Sequence, residues 1–497
     1  EELVTQARAL GLRALALTDH DGLYGAPTFC RLAEVVGVPP LVGAELTLTT
    51  GQHLTLLATD DTGYRHLCRL LTLGRQARPK GEAAVTLAQV AAHSTGLLAL
   101  SGCRRGIVAA PLLAGRAAEA EAAARWLREV FGPERCWIEL QRHYLPGERA
   151  LLRAQVALAR RLGLGVVATN NVHYHVRERF RLHDVLVCVR HRTPLDAAHP
   201  LRRPNAEYYL KSPAQMARLF AELPAALRAT LAIAERCAAA GEVARCALTA
   251  YRFPEFPLPP GETADSYLAA RCREGALARY GTLEGEVGAR LRHELGLIAR
   301  HGLAGYFLIV WDLMAFARRQ RIPAQGRGSA ANSIVAYVLG LTNVDPIRHR
   351  LFVGRFLNEE LATLPDIDID FAREHREAVL QYVYERYGRD RAALVSTHVT
   401  YQARSALRDV GRALGLPAAL VTRLAREQER AQAVALPAAP PGVDAKRWRL
   451  LGELSAALRD YPRHLSQHVG GMVISACPLS ELVPLEPARM AGRVVTQ

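Results

Sequence analysis

The run Pro365-Asp366-Ile367-Asp368-Ile369-Asp370-Phe371 constrains this chain more than any other stretch. Strict alternation of Asp with Ile has the period of a strand, whose successive side chains point to opposite faces, so it sets both isoleucines on one face and three carboxylates on the other. The isoleucine face packs. Like charges about 7 Å apart along a strand repel one another and oppose strand formation, so the pattern makes sense when cations stand between the carboxylates. A solvated edge strand with an acidic face is the plainer alternative. Hard divalent ions such as Mg²⁺ take carboxylate oxygens and keep water or phosphate as further ligands. Two of them about 4 Å apart would activate a hydroxyl and steady a pyrophosphate leaving group.

Upstream stands the small-residue loop Gln325-Gly326-Arg327-Gly328-Ser329-Ala330-Ala331-Asn332-Ser333, followed by the apolar stretch Ile334 to Leu339. Such a loop entering a helix presents unpaired backbone N–H groups and the positive end of the helix dipole. Arg327, Gly328, Ser329 and Ser333 are the candidate phosphate-binding residues. No Gly-Lys-Ser/Thr follows, so the loop is not of the Walker type, and an ordinary turn with a helix cap is the competing reading. A phosphate cradle and a metal-binding strand together are the minimum parts of a nucleotidyl transferase.

The rest of the chain divides at Pro254 to Pro260, where four prolines in seven residues can continue neither helix nor central strand. Before it, β-rich runs (14–18, 54–58, 97–101, 165–169) alternate with helical stretches (3–10, 26–36, 148–162), which predicts an α/β domain with its functional residues at strand ends. A further helical stretch covers 212–239. After the prolines come helices at 264–280 and 285–301, the loop, the aspartate strand, a helix over 373–387 and a basic helical stretch from 401 to 457. Arg404, Arg408 and Arg412 recur every four residues and so line one helix face, suited to a duplex backbone or to solvent.

With 63 basic against 48 acidic residues the net charge is +15, which favours a polyanionic partner. Lysine occurs only at 80, 211 and 446, so the excess is nearly all arginine, a skew that coding bias also produces. Nine cysteines without a Cys-x-x-Cys pair, in a chain long enough to build ordinary cores, predict a reducing cytoplasm. No apolar run reaches the roughly 18 residues that span a bilayer. The chain opens at Glu1-Glu2-Leu3-Val4 without Met or leader and stops at Gln497 within an apolar segment, so both ends are expected to be cut.

Gly305 to Trp311, Gly326 to Ser329, Pro365 to Phe371, Tyr387 to Asp390, Arg408 to Gly411 and Gln467 to Ile474 together resemble the bacterial C-family DNA polymerases, the family of the DNA polymerase III alpha subunit. The loop 325–333, Pro478 to Pro484 and Met490 to Arg493 look more like its error-prone, translesion branch than the main replicative subunit, which is the alternative. The resemblance implies an α/β multidomain chain: a distorted α/β barrel of the polymerase and histidinol phosphatase (PHP) type over 1–253, a polymerase-beta-like nucleotidyltransferase palm over 254–400, a helical thumb over 401–477 that grips DNA, and more palm over 478–497. It implies that Asp368 and Asp370 are catalytic ligands of two Mg²⁺ ions, with Asp366 a neighbour. A third catalytic aspartate would follow Gln497, so this piece alone is expected to be inactive. Primer–template DNA and deoxynucleoside triphosphates are the implied partners, with a sliding clamp or accessory subunits reached through other regions.

The segment Leu17-Thr18-Asp19-His20-Asp21-Gly22-Leu23-Tyr24-Gly25 carries the resemblance to the PHP domain. The family's ligand positions fall on His20, Glu45, His53, Cys103 and His173, a donor set suited to Zn²⁺ or Mn²⁺. Two positions depart from the pattern. The opening His-x-His pair would precede Glu1, and Asn171 stands where an Asp is expected. The domain is therefore expected to be structural, with a metallo-phosphoesterase as the alternative of another class.

Overall fold

The computed structural model describes residues 1–76, 78–249, 254–360, 366–431, 436–490 and 492–497, with the side chains at 239–249, 355 and 428–431 outside the description. Pro365, which opens the aspartate run, lies outside the described residues. The chain forms two compact units. One holds Glu1–Ala250, Leu394–Val469 and Ser480–Gln497; the other holds Tyr251–Ala393 and Gly470–Leu479.

In the first unit six strands pair in chain order: β1 (Leu15–His20), β2 (Pro40–Thr47), β3 (His53–Ala58), β4 (Leu97–Leu100), β5 (Cys136–Gln141) and β6 (Gly165–Thr169). β3 runs antiparallel to both its neighbours, and every other pairing is parallel. The carboxyl ends of five strands and the amino end of β3 therefore share one rim. β1 and β6 are edges that do not pair, so the expected barrel is a curled half-barrel. β3 and β4 are buried throughout. Leu46, Leu54, Leu56, Leu97 and Ile138 pack there against Phe29, Leu67, Leu70 and Leu127 from the covering helices, each worth about 1.5–3 kcal/mol of burial.

Two of these helices, Ala26–Val36 and Glu148–Leu162, keep the predicted bounds because Gly37 and Gly163 end them in the left-handed conformation. The stretch predicted at 212–239 is instead two helices, Pro213–Leu219 and Pro224–Thr249, each opened by a proline. The basic stretch divides into helices Ala403–Ala413, Ala418–Ala431 and Ala445–Leu458. Their apolar faces (Leu407, Val410, Val421, Leu424, Trp448, Leu451) pack on Leu182, Val185 and Cys188 of the helix Phe180–His191.

The second unit is mostly helical, with Ala264–Tyr280, Gly285–Arg300, Ala304–Arg319 and Arg376–Tyr387 around a two-stranded antiparallel ribbon of β7 (Ala324–Arg327) and β8 (Asp368–Phe371). The Ala304–Arg319 helix is additional to those the sequence predicts. Buried Asp312 on it accepts hydrogen bonds from the hydroxyls of Tyr382 (2.9 Å) and Tyr387 (3.0 Å), which ties it to the helix behind β8. Among the described residues no single helix is long and apolar enough to cross a membrane. The bent pair Gly285–Arg300 and Ala304–Arg319 comes nearest, and its Leu297, Ile298, Phe307, Leu308 and Ile309 are buried in the core of the unit.

Gly326 fixes how closely β7 approaches the chain beyond the loop. Its N–H donates to the carbonyl of Leu341 at 2.7 Å, and a Cβ at this position would stand 2.3 Å from that oxygen. Gly326→Ala is expected to destabilise the second unit by about 2–3 kcal/mol, since backbone must move. A urea denaturation series followed by a probe in that unit checks this, and an unchanged midpoint would contradict it.

Candidate active site

The β7–β8 ribbon builds the acidic site. Its register sets Arg327 opposite Asp368 and Gln325 opposite Asp370, so the end of the small-residue loop lies against the aspartate strand. The strand is shorter than the alternation predicts. It begins at Asp368, and Asp366 stands outside it, so the three carboxylates do not form one continuous strand face. Just before the strand, buried Ile367 donates its N–H to the hydroxyl of Tyr306 at 3.1 Å, which anchors its approach.

Asp368 and Asp370 do converge. The Arg327 guanidinium lies 3.8 Å from Asp368 Oδ2 through Nη2 and 3.2 Å from Asp370 Oδ2 through Nε, so one positive group stands between the two carboxylates. The side chains remain open to water, at 45% for Asp368, 68% for Asp370 and 63% for Arg327. A pair of carboxylates that already draws in one cation, with room for water around it, fits the oxygen-rich coordination of a divalent ion. A Cβ on Gly328 would stand 3.9 Å from Asp368 Oδ2, so the loop and the carboxylate are neighbours.

Ser333 corrects the reading of the loop as a four-residue phosphate cradle. It is fully buried, and its hydroxyl accepts from Ala336 N at 3.1 Å while donating to Glu294 Oε2 at 2.6 Å. Glu294, also fully buried, accepts from Ile334 N (3.1 Å) and Val335 N (3.2 Å) as well. The start of the short helix Ile334–Val338 is thus filled by a carboxylate of this chain. Arg327 and Gly328 are exposed and Ser329 half-buried, so these three alone of the candidate donors face outward.

At the rim of the half-barrel the five residues singled out from the sequence come together. His20 Nδ1 and His53 Nδ1 both lie 3.0 Å from Glu45 Oε1, and the ligand atoms of these three residues lie within 4.8 Å of one another. Cys103 Sγ stands 3.5 Å from His53 Nδ1. A cavity of about 420 Å³ is lined by Glu45, His53, Cys103, Asn171 and His173. Burial works to raise the Glu45 pKa, but hydrogen bonds from His20 and His53 overcome it and hold the carboxyl well below the ordinary range. The bond to Glu45 raises the pKa of His20. Burial pushes the Cys103 thiol up to about 12, which keeps it protonated near neutrality.

His173 departs from the set. Desolvation, joined by the Arg203 guanidinium that hydrogen-bonds its Nε2, pushes its pKa down to about 3. An arginine thus takes the lone pair that a metal would need. His20, Glu45 and His53 fit one cation, assisted by the His53 Nε2 atom, which is buried without a partner. His143 lines the same cavity and was not singled out from the sequence. It is 1% exposed, its Nε2 pairs with the Asn170 carbonyl at 3.0 Å, and its Nδ1 is buried without a partner. It follows β5, so recognising that strand would have marked it.

Of the candidate DNA-binding residues on Ala403–Ala413, Arg404 and Arg408 are half-buried and Arg412 is exposed. On the following helix Arg423 lies 3.9 Å from Glu427, and the side chain of Arg430 lies outside the described residues.

Glu45→Gln replaces the anion shared by two imidazoles and is expected to cost about 1–3 kcal/mol of stability. The sign with pH follows from both partners. The lowered Glu45 pKa contributes stability above the ordinary carboxyl value of 4.5 that is lost as pH falls below it, and the raised His20 pKa contributes stability below 6.5 that is lost as pH rises. Thermal unfolding with a chelator present should separate the variant from the parent most between these values; a difference that grows toward alkaline pH would contradict the assignment.

Residues 1–143 match the PHP domain, and residues 266–497 match the bacterial DNA polymerase III alpha NTPase domain. The whole chain is similar to proteins named error-prone DNA polymerase. It is 43% identical over 530 residues to one from Symbiobacterium thermophilum, covering 48% of that protein. It is 40% identical over 507 residues to one from Pseudomonas fluorescens (47% covered) and 40% over 514 residues to one from Mycobacterium tuberculosis (46% covered). The chain spans about half the length of the curated relatives it matches.

Proposed function

Since the chain belongs to the bacterial DNA polymerase III alpha family, with a PHP domain ahead of the polymerase domain, we propose that it serves template-directed DNA synthesis of the error-prone type, adding deoxynucleotides to a primer 3′ end. The observation that carries this reading is the convergence of Asp368 and Asp370 on one cationic point beside the Arg327–Ser329 loop. In this reading Asp368 and Asp370 hold Mg²⁺, which when bound supplies charge neutralisation at the attacking hydroxyl and the leaving pyrophosphate. Arg327 turns from the carboxylates to the triphosphate, where its planar fork pairs with phosphate oxygens. The backbone at Gly328 and the hydroxyl of Ser329 add neutral donors that orient the same group.

Residues 254–400 and 478–497 serve as palm and 401–477 as thumb, with Arg404, Arg408 and Arg412 following the duplex backbone. Primer–template DNA and deoxynucleoside triphosphates are the substrates, and clamp or accessory subunits engage regions outside this chain. The similarity to error-prone relatives at 40–43% identity favours translesion synthesis over main replication.

Full-length protein carrying Asp368→Ala or Asp370→Ala is expected to lose primer extension by at least about 10³-fold while keeping primer–template affinity within about threefold. The parent should pass an abasic template position more readily than a replicative enzyme does. Retained extension by either variant would sink the assignment of these aspartates.

The PHP cavity supports a structural role with one cation held by His20, Glu45 and His53, since Arg203 engages His173 and Asn171 offers no charge. Metal analysis of the full-length protein by mass spectrometry should return at most one tightly bound Zn²⁺ or Mn²⁺ that Glu45→Gln releases. Two or more per chain in this domain would overturn the structural reading in favour of phosphoester hydrolysis.

A further inference from the structure

We infer that Glu294 is a positioning residue for nucleotide addition, acting through the loop that faces Asp368. This inference rests on the polymerase reading above. Glu294 sits on the helix Gly285–Arg300 and is completely buried. A buried carboxylate is costly unless donors satisfy its oxygens. Here Oε1 accepts from Ile334 N and Oε2 from both Ser333 Oγ and Val335 N, at 2.6–3.2 Å.

The donors fix the direction of every bond. Ser333 Oγ already accepts from Ala336 N, so its proton points to Glu294, and the two backbone groups can only donate. The side chain at 294 must therefore be a pure acceptor. Burial raises the pKa of Glu294, while these three donors and Arg290 pull it back, so the donors are what favour the ionised form at this depth. A glutamine would turn its NH₂ toward at least one of those donors, losing that bond and setting two donors against each other.

What Glu294 fixes is the far end of the loop. The near end is held by β7–β8 pairing and by the Gly326 N–H to Leu341 carbonyl bond. The far end is Ser333, whose N–H also closes the 3-10 turn Gly328–Asn332 on the Ala330 carbonyl. With both ends clamped, only the five residues 328–332 are left to set the position of Gly328 and Ser329 against Asp368. A shift of about 1 Å in such a group weakens binding of the ligand it orients far more than it weakens the fold.

The test is single-nucleotide incorporation by the full-length protein on a primer–template, with KM for the incoming deoxynucleotide and kcat measured separately. Glu294→Gln is expected to raise KM by about tenfold or more with a smaller change in kcat, and to leave primer–template affinity within about twofold. Ser333→Ala removes one of the three donors and keeps the carboxylate, so it should raise KM by a smaller factor; it decides the matter if Glu294→Gln does not fold. Glu294→Asp, which keeps the acceptors on a shorter stem, should recover part of the loss. Unchanged KM in both Glu294→Gln and Ser333→Ala, or a fall in kcat and DNA affinity with KM constant, would overturn the role of Glu294 while leaving the polymerase reading intact. A parent protein that extends no primer would instead overturn the polymerase reading, and this inference with it.

Discussion

The antiparallel pairing of β7 with β8 is the interaction on which the acidic site depends. The two segments lie about forty residues apart in sequence, and neither carries chemistry alone. Their four-residue register sets the guanidinium of Arg327 opposite Asp368 and within reach of Asp370. Slipping the register by one residue would turn the aspartates to the packed face and Ile369 to water. Several contacts resist such a slip. Gly326 is pressed against the Leu341 carbonyl, the N–H of Ile367 is held by Tyr306, and Phe371 and Ile369 pack into the unit's core.

Much of this was legible in the sequence because local chemistry and tertiary context agree. Ala26–Val36, Glu148–Leu162 and Ala264–Tyr280 carry apolar faces with strong stops, and their predicted bounds hold. β2 and β5 escaped for the opposite reason. Both are largely buried, but Pro40, Gly43 and Glu45 in β2 and Glu139 in β5 interrupt the apolar run by which the equally buried β3 and β4 are read. Missing β5 hid His143, since a histidine is informative only once it is placed at a strand end.

Ser333 shows a different limit. A serine ahead of an apolar run marks a helix start, and a helix start is an anion site whether the anion is a ligand or a side chain of the same protein. Only the packing of Gly285–Arg300 shows that Glu294 has taken the place, because its position 39 residues upstream gives no local sign of it. The aspartate run was similarly legible in kind but not in extent. Alternation predicted a strand from Asp366, whereas ladder pairing begins at Asp368, where β7 supplies partners as far as Arg327.

The two sites meet the problem of clustered acid groups in opposite ways, and the difference bears on what each can do. Glu45 is held between two imidazoles at 3.0 Å, that of His53 buried and that of His20 reaching water. Its charge is compensated by fixed neighbours, and an incoming cation must compete with bonds the fold has already made. Asp368 and Asp370 share a single exposed arginine at 3.2–3.8 Å, an interaction of the surface kind worth no more than about 1 kcal/mol. That contact holds the carboxylates together without committing them, so the guanidinium can leave for a phosphate at little cost. A permanent structural centre benefits from the first arrangement. A site that admits and releases a charged ligand requires the second, and that is the arrangement the ribbon of β7 and β8 presents.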